Sequence, residues 1–400
     1  MNSWMIIGAV AVAVVFSYVF TYVMRVAAPR LGLVDQPDNQ RKLQESPISL
    51  GGGLAVYVAM VVTFFAVTLA ATAFGPWVAT ALSDQVPLLV CAGLLCLAGL
   101  WDDLRPMRSW HKLLLQIAAC TPFLAFGQTI SIVSFFDFQL DLGLASTPLT
   151  LFWLVACINA FNLIDGLDGF ASSSGIIATA TLGVLALLSG NIAIAMLSLI
   201  TCGALVGFLF HNLPPARIYL GDAGSCSIGF LIGAVSVQAS YKTAAVYLIV
   251  VPVVLLGIPF FDTFVAIARR RLSGRHFATA DREHFHHCLQ DRGLSNRQAL
   301  LALSSLSLML AISAVLTFVY QNDLIAIGTL VMMASALVVF RIFGHREATM
   351  LISGLRSAAA FRRKDQFAVA VENPDAIVIQ LPGIDDDAPA PDKQRDDRAA

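Results

Sequence analysis

The sequence predicts an all-α integral membrane protein of about eleven transmembrane helices, N-terminus outside, C-terminus cytoplasmic, with its active site on cytoplasmic loops. Three observations lead there. First, 58% of the 400 residues are hydrophobic and 13% charged, with a mean hydropathy of +0.77. A soluble domain carries roughly 25% charged residues, so this chain cannot cover a water-exposed globule of its size, and it is too apolar to be disordered. Second, stretches free of Asp, Glu, Lys and Arg cover 1–24, 46–83, 85–101, 113–136, 142–164, 169–216, 223–241, 243–261, 298–322 and 324–340. A crossing needs about 20 apolar residues. Third, of the 25 Lys and Arg, seven lie in the far tail and 17 of the other 18 lie beside connections after odd-numbered helices or on the C-terminal side, Lys242 being the exception. Basic residues mark the cytoplasmic face.

Taken in order, the first run has no basic residue before it and no small-residue cleavage site, so it reads as a retained helix rather than a signal peptide. The second, third and fourth runs supply one helix each. The fifth helix, about 147–160, is the weakest: it is short, begins beside Pro148, and is expected to be tilted, broken or interfacial. The run 169–216 is long enough for two helices, with Gly190 and Asn191 as the turn. The remaining four runs complete the count. Between the fourth and fifth helices, the apolar pattern of Ile130, Ile132, Val133, Phe135, Phe136, Phe138, Leu140 and Leu142 within 129–146 predicts a small hairpin at the membrane surface. The membrane domain is expected to span 1–343, and the Pro-, Asp- and Ala-rich tail 344–400 to be cytoplasmic and largely disordered. Seven scattered cysteines show no metal-ligand spacing and read as small core residues. A formal net charge of −1 predicts no nucleic-acid partner, while a homodimer is compatible with the sequence.

The polar chemistry sits in five inner connections. The first carries Asp35, the pair Arg41-Lys42 and then Gly51-Gly52-Gly53, which suit either a phosphate or close helix packing. The second carries Asp102-Asp103, Arg105 and Lys112. Adjacent carboxylates at a helix mouth repel unless a cation or proton is shared between them, so a divalent metal, a general base or both are expected. The third is Asn159-Ala-Phe-Asn162-Leu-Ile-Asp165-Gly-Leu-Asp168-Gly169. If it is helical, each three-residue spacing puts its pair on one face, and hard oxygen donors of this kind suit Mg²⁺ or Mn²⁺. The fourth, Arg217 to Ser225, places Asp222 where helix-start N–H groups favour anions, so a bridging metal is expected there. The fifth runs from Asp262 through Arg269-Arg270-Arg271 to His284, His286 and His287. The histidine spacing is poor for zinc, and the arginines favour a pyrophosphate ligand, although a basic cluster also serves as a plain topology anchor.

These motifs, in this order on an eleven-helix chain, resemble the polyprenyl-phosphate N-acetylhexosamine-1-phosphate transferases over about residues 4–343, particularly the bacterial branch that transfers GlcNAc-1-phosphate to undecaprenyl phosphate. The sequence departs from that pattern at Pro106, where a third acid often stands, at Gln44 and at Phe170. The resemblance implies a UDP-sugar donor, an undecaprenyl phosphate acceptor in a bacterial inner membrane, Mg²⁺ as cofactor (Mn²⁺ as its substitute), and UMP as leaving product. It implies metal contacts from Asp222 and Asn162, catalytic roles for Asp102, Asp103, Asp165 and Asp168, and substrate binding by Lys112, Asn159, Arg270, His284, His286 and His287. Transfer is expected in one step, with a covalent aspartyl-phosphate as the alternative; FucNAc, QuiNAc and MurNAc-pentapeptide are the alternative sugar groups. An aspartate-rich prenyltransferase would need a first acid motif that Pro106 breaks. A transporter would place ionisable groups near the midplane or show an internal repeat, and neither is evident.

Overall fold

A computed structural model of the chain describes residues 3–36, 47–71, 84–135, 138–242, 250–272, 285–340 and 349. Its long helices are α1 (Ser3–Ala27), α2 (Gly52–Ala71), α3 (Val86–Leu104), α4 (Ser109–Ala125), α5 (Ser146–Leu163), α6 (Phe170–Leu188), α7 (Ile192–Asn212) and α8 (Gly221–Lys242). Then come α9 (Val250–Leu255), α10 (Gly257–Leu272), the short α11 (Phe285–Asp291), α12 (Asn296–Tyr320) and α13 (Asp323–Val339). Seven helical spans among the described residues are long and apolar enough to cross a bilayer, so this is a multi-span membrane protein. Large apolar side chains stay exposed along α1 (Val15, Val19, Tyr22), α3 (Leu94, Leu97) and α12 (Leu301, Leu308, Ile312), as lipid-facing helices require. The boundary at 343/344 and the tail 350–400 lie outside the described residues.

Local sequence sets the helix ends. The long run divides where expected: Gly190 takes a left-handed φ of 73°, and Asn191 caps α7 by accepting from the Ile194 N–H at 3.3 Å. Ser295 and Gln298 form a reciprocal capping box that starts α12. The hairpin forms as antiparallel Ile132–Phe135 and Phe138–Asp141. The fifth helix is longer than the sequence reading gave it and is not broken. Pro148 lies in its first turn, where a missing N–H costs nothing, and α5 runs unbroken for 18 residues. The interruption falls instead in the eighth run, 243–261, where Leu256 separates α9 from α10.

At the centre stands α8, packed against α2, α3, α5 and α6. Every residue from Ala223 to Gln238 is buried, and its small residues let neighbouring backbones approach. Gly53 of α2 and Gly224 of α8 touch so closely that a side chain on either would collide with the other's backbone. The glycine run of the first connection therefore serves close packing. Its Gly52 and Gly53 N–H groups donate to the carbonyls of Tyr219 and Leu220 at 3.1 and 2.9 Å. Arg41 and Lys42 lie outside the described residues.

Candidate functional site

The connections meet at one end of the bundle. Ser49, just before α2, pairs with Ile218, just before α8, and Arg297 at the start of α12 donates to the Pro214 carbonyl at 3.2 Å. The N-terminus of α8 presents free N–H groups there, and Asp103, from the last turn of α3, caps them. Its Oδ1 accepts from the Asp222 N–H at 2.9 Å and its Oδ2 from the Ala223 N–H at 3.3 Å. Gly221 is needed at this junction because it has φ 72° and because a Cβ would sit 2.6 Å from the Asp103 carboxylate. The neighbouring Asp102 turns elsewhere. Its Oδ1 accepts from the Met107 N–H at 2.6 Å, and its Oδ2 lies 3.1 Å from Lys112 Nζ.

Lys112, in the first turn of α4, is the hub. It forms a very short ion pair with Asp222 Oδ2 and donates to Asn162 Oδ1 at 3.3 Å. Asn162 in turn donates through Nδ2 to Asp222 Oδ1 at 2.6 Å and to Ser225 Oγ at 2.8 Å. Two carboxylates and an amide oxygen thus surround one cationic position, drawn from α3, α5 and α8. Among the described residues, no three His, Cys, Asp or Glu side chains converge on a point to hold a metal. The set present, two carboxylates with an amide oxygen, fits a Mg²⁺ that is completed by water and substrate phosphates, because that ion is commonly bound through one or two carboxylates.

The third connection does not continue the helix. Since α5 ends at Leu163, Asp165 and Asp168 do not share a helical face as the spacing suggested. Asp165 accepts from the Gly221 N–H, and burial, followed by the negative charges of Asp222 and Asp103, holds its carboxyl well above the usual carboxylate range. Asp168 accepts from the Ala216 N–H at 3.0 Å, and burial raises its carboxyl despite that bond. Burial, then the nearby Asp168, Asp35 and Asp165 carboxylates, pushes the Tyr219 phenol upward. Asn159 lies one turn deeper than Asn162 and pairs with Gln116 of α4, donating to its Oε1 at 2.8 Å.

Of the remaining candidates, Arg270 lies in the last turn of α10 between two further arginines. His284 lies outside the described residues, as do the side chains of His286 and His287 on α11. The start of α11 is held by Asp262, only 2% exposed, whose Oδ1 accepts from the Phe285 N–H at 3.0 Å.

Two positioning groups escaped the sequence reading. Gln116 is one; its only signal is its place one turn after Lys112. The other is Asn212, buried at the end of α7. Its Oδ1 accepts from the Gly169 N–H at 3.0 Å and from Ser172 Oγ at 2.8 Å, while its Nδ2 donates to the Ile218 carbonyl at 2.9 Å. A single amide inside the long apolar run 169–216 gave no local signal in the sequence. Because Asn212 ties the third connection to the fourth, Asn212→Ala is expected to destabilise the protein by about 1–3 kcal/mol, the cost of orphaned buried partners. It should also raise the KM for the water-soluble substrate, as measured by thermal unfolding and steady-state kinetics in detergent.

Fold and site together define a multi-span membrane protein built around an acid, amide and lysine cluster at one end of its helices. Residues 85–240 match the glycosyl transferase family 4 domain, and this stretch contains every member of the cluster. The chain is 34% identical over 312 residues to a probable undecaprenyl-phosphate N-acetylglucosaminyl 1-phosphate transferase of Bacillus subtilis, covering 78% of this chain and 84% of that one. It is 32% identical to the decaprenyl-phosphate N-acetylglucosaminephosphotransferase of Mycolicibacterium smegmatis, over 73% and 77% of the two chains. It is 28% identical to the Escherichia coli K12 undecaprenyl-phosphate alpha-N-acetylglucosaminyl 1-phosphate transferase, over 75% and 81%. The protein belongs to glycosyl transferase family 4.

Proposed function

We propose that this enzyme transfers GlcNAc-1-phosphate from UDP-GlcNAc to undecaprenyl phosphate at the inner face of a bacterial cytoplasmic membrane, releasing UMP. Eleven spans with the N-terminus outside go with this reading, because they put all five polar connections on the side where a nucleotide sugar is found. The observation that carries it is the Lys112 ammonium framed by Asp102, Asp222 and Asn162 at the end of the bundle. A polyprenyl phosphate and a nucleotide diphosphate are both anions, and bringing them together is the main barrier.

In the reaction, an oxygen of the lipid phosphate attacks the β-phosphorus of the UDP-sugar, and the bond from that phosphorus to the UMP oxygen breaks. Lys112 sits where it would neutralise phosphate charge. Asp102, beside it, is the carboxylate placed to orient the attacking phosphate or hold its proton, since both oxygens of Asp103 are committed to the start of α8. Mg²⁺, held by Asp222 and Asn162, would supply charge neutralisation at the diphosphate. Asp165 and Asp168 shape the donor side, and Arg270, His284, His286 and His287 are assigned to the sugar-diphosphate. A single displacement uses all of these groups without an aspartyl-phosphate.

The test is purified protein with undecaprenyl phosphate, Mg²⁺ and a panel of UDP-N-acetylhexosamines. UDP-GlcNAc should give a lipid-linked diphospho-sugar and one equivalent of UMP, and EDTA should stop both. Preference for another UDP-sugar would move the specificity, and no UMP from any donor would end the reading.

A further inference from the structure

Lys112 and Asn162 both stand in terminal turns, where helices fray. Lys112 is in the first turn of α4, whose N-cap residue Arg108 makes no side-chain capping bond, and Asn162 is in the last turn of α5. One turn further in, Gln116 of α4 meets Asn159 of α5. Asn159 Nδ2 donates to Gln116 Oε1 at 2.8 Å, and Gln116 Nε2 donates to Asn159 Oδ1 at 3.4 Å, so the two amides bond in both directions. Gln116 follows Lys112 by four residues and Asn162 follows Asn159 by three, spacings that share a helix face. The contact of Lys112 Nζ with Asn162 Oδ1 at 3.3 Å and the amide pair are therefore two rungs between the same two antiparallel helices.

We propose that Gln116 and Asn159 are a pair of positioning residues that fixes Lys112 against Asn162 for the transfer, and that Asn159 does not bind substrate. This role rests on the function proposed above. Three observations support it. Asn159 has no donor left for a ligand, because one amide hydrogen goes to Gln116 and the other to the Val155 carbonyl at 2.8 Å. Gln116 is 2% exposed, and an amide so enclosed is costly without its partner, which makes the pairing obligatory rather than incidental. The uncapped first turn of α4 gives Lys112 no anchor of its own, so the next turn must supply one.

The consequence is for the reaction rather than for the fold alone. A lysine ammonium is a compact charge on a flexible stem, and its place at a phosphate is set by the helix that carries it. Loss of the second rung lets the ends of α4 and α5 separate, and the charge moves away from Asp222 and Asn162 together.

Gln116→Leu and Asn159→Leu each orphan the other amide. Each is expected to lower kcat about 10- to 100-fold, the scale of a reacting group displaced by about 1 Å, with the KM for UDP-GlcNAc unchanged. In the double variant no amide is orphaned, so it should unfold at a higher temperature than either single variant. Its kcat should stay at the level of the single variants instead of falling by the product of the two losses. Wild-type turnover in either single variant, a raised KM for UDP-GlcNAc confined to Asn159→Leu, or losses that multiply would overturn the proposal. A kcat that recovers together with stability would reduce the pair to a structural one and overturn it equally. A further measurement needs no turnover. Acetylation of Lys112 by acetic anhydride, followed by mass spectrometry, should be severalfold faster in each single variant than in the wild type, and unchanged reactivity rejects the pair as the anchor of Lys112. If reactivity rises as expected while the wild type releases no UMP, the reaction fails and the amide anchor stands.

Discussion

Asp222→Asn is expected to lower kcat by about 10³-fold, the scale seen when a single charge-stabilising group is removed from a reaction centre, while the protein still folds. The carboxylate accepts from Lys112 at one oxygen and from Asn162 at the other. An amide of the same shape has only one accepting oxygen, so its NH₂ must face one of those two donors, and its negative charge is gone. The backbone N–H of residue 222 remains, so the Asp103 cap and the start of α8 are preserved. UMP release and thermal unfolding, measured on the same detergent preparation, separate the two effects. Turnover near the wild-type rate would remove Asp222 from the reaction centre.

Lys112→Met is the second large effect, and it should strike stability as well as turnover. Without the ammonium, Asp102 and Asp222 face each other with no cation between them. Removing one partner from a buried ion pair costs about 3 kcal/mol or more, and this group is partly open to solvent, with Lys112 19% exposed, so a loss of up to about 3 kcal/mol is expected. kcat/KM should fall at least 100-fold. Adding Asp102→Asn to Lys112→Met removes the repulsion and should recover much of the thermal stability, with turnover still lost. A double variant no more stable than the single one would show that the lysine does not hold these two carboxylates together.

The acids, amides and lysine of the centre were legible because each stands at a helix end beside a charge-free run, where burial of an ionisable group is costly and demands a partner. Asp102, Lys112, Asn162 and Asp222 are found in one cluster, although 120 residues separate the first from the last. Their division of labour was not legible. Asp102 and Asp103 are chemically identical neighbours, and only the approach of α8 makes one a helix cap and leaves the other beside the lysine. Asp165 and Asp168 were read on a helical period that stops at Leu163. Asn159 was grouped with Asn162, yet one further turn of α5 moves it onto Gln116. Asn212 went unnoticed because a single amide inside a long apolar run has no local pattern, and its role arises from two loops that are far apart in the chain.

By itself, the sequence determined that this is a membrane protein, and it singled out the polar side chains that are candidates for its chemistry, because a hydrocarbon solvent penalises every exposed backbone group and every charge, so both are forced into patterns visible along the chain. Which of those side chains touch was decided only in three dimensions. Pairing depends on helix rotation and on the close approach of small residues such as Gly53 and Gly224, and neither quantity is written in the periodicity of any one helix.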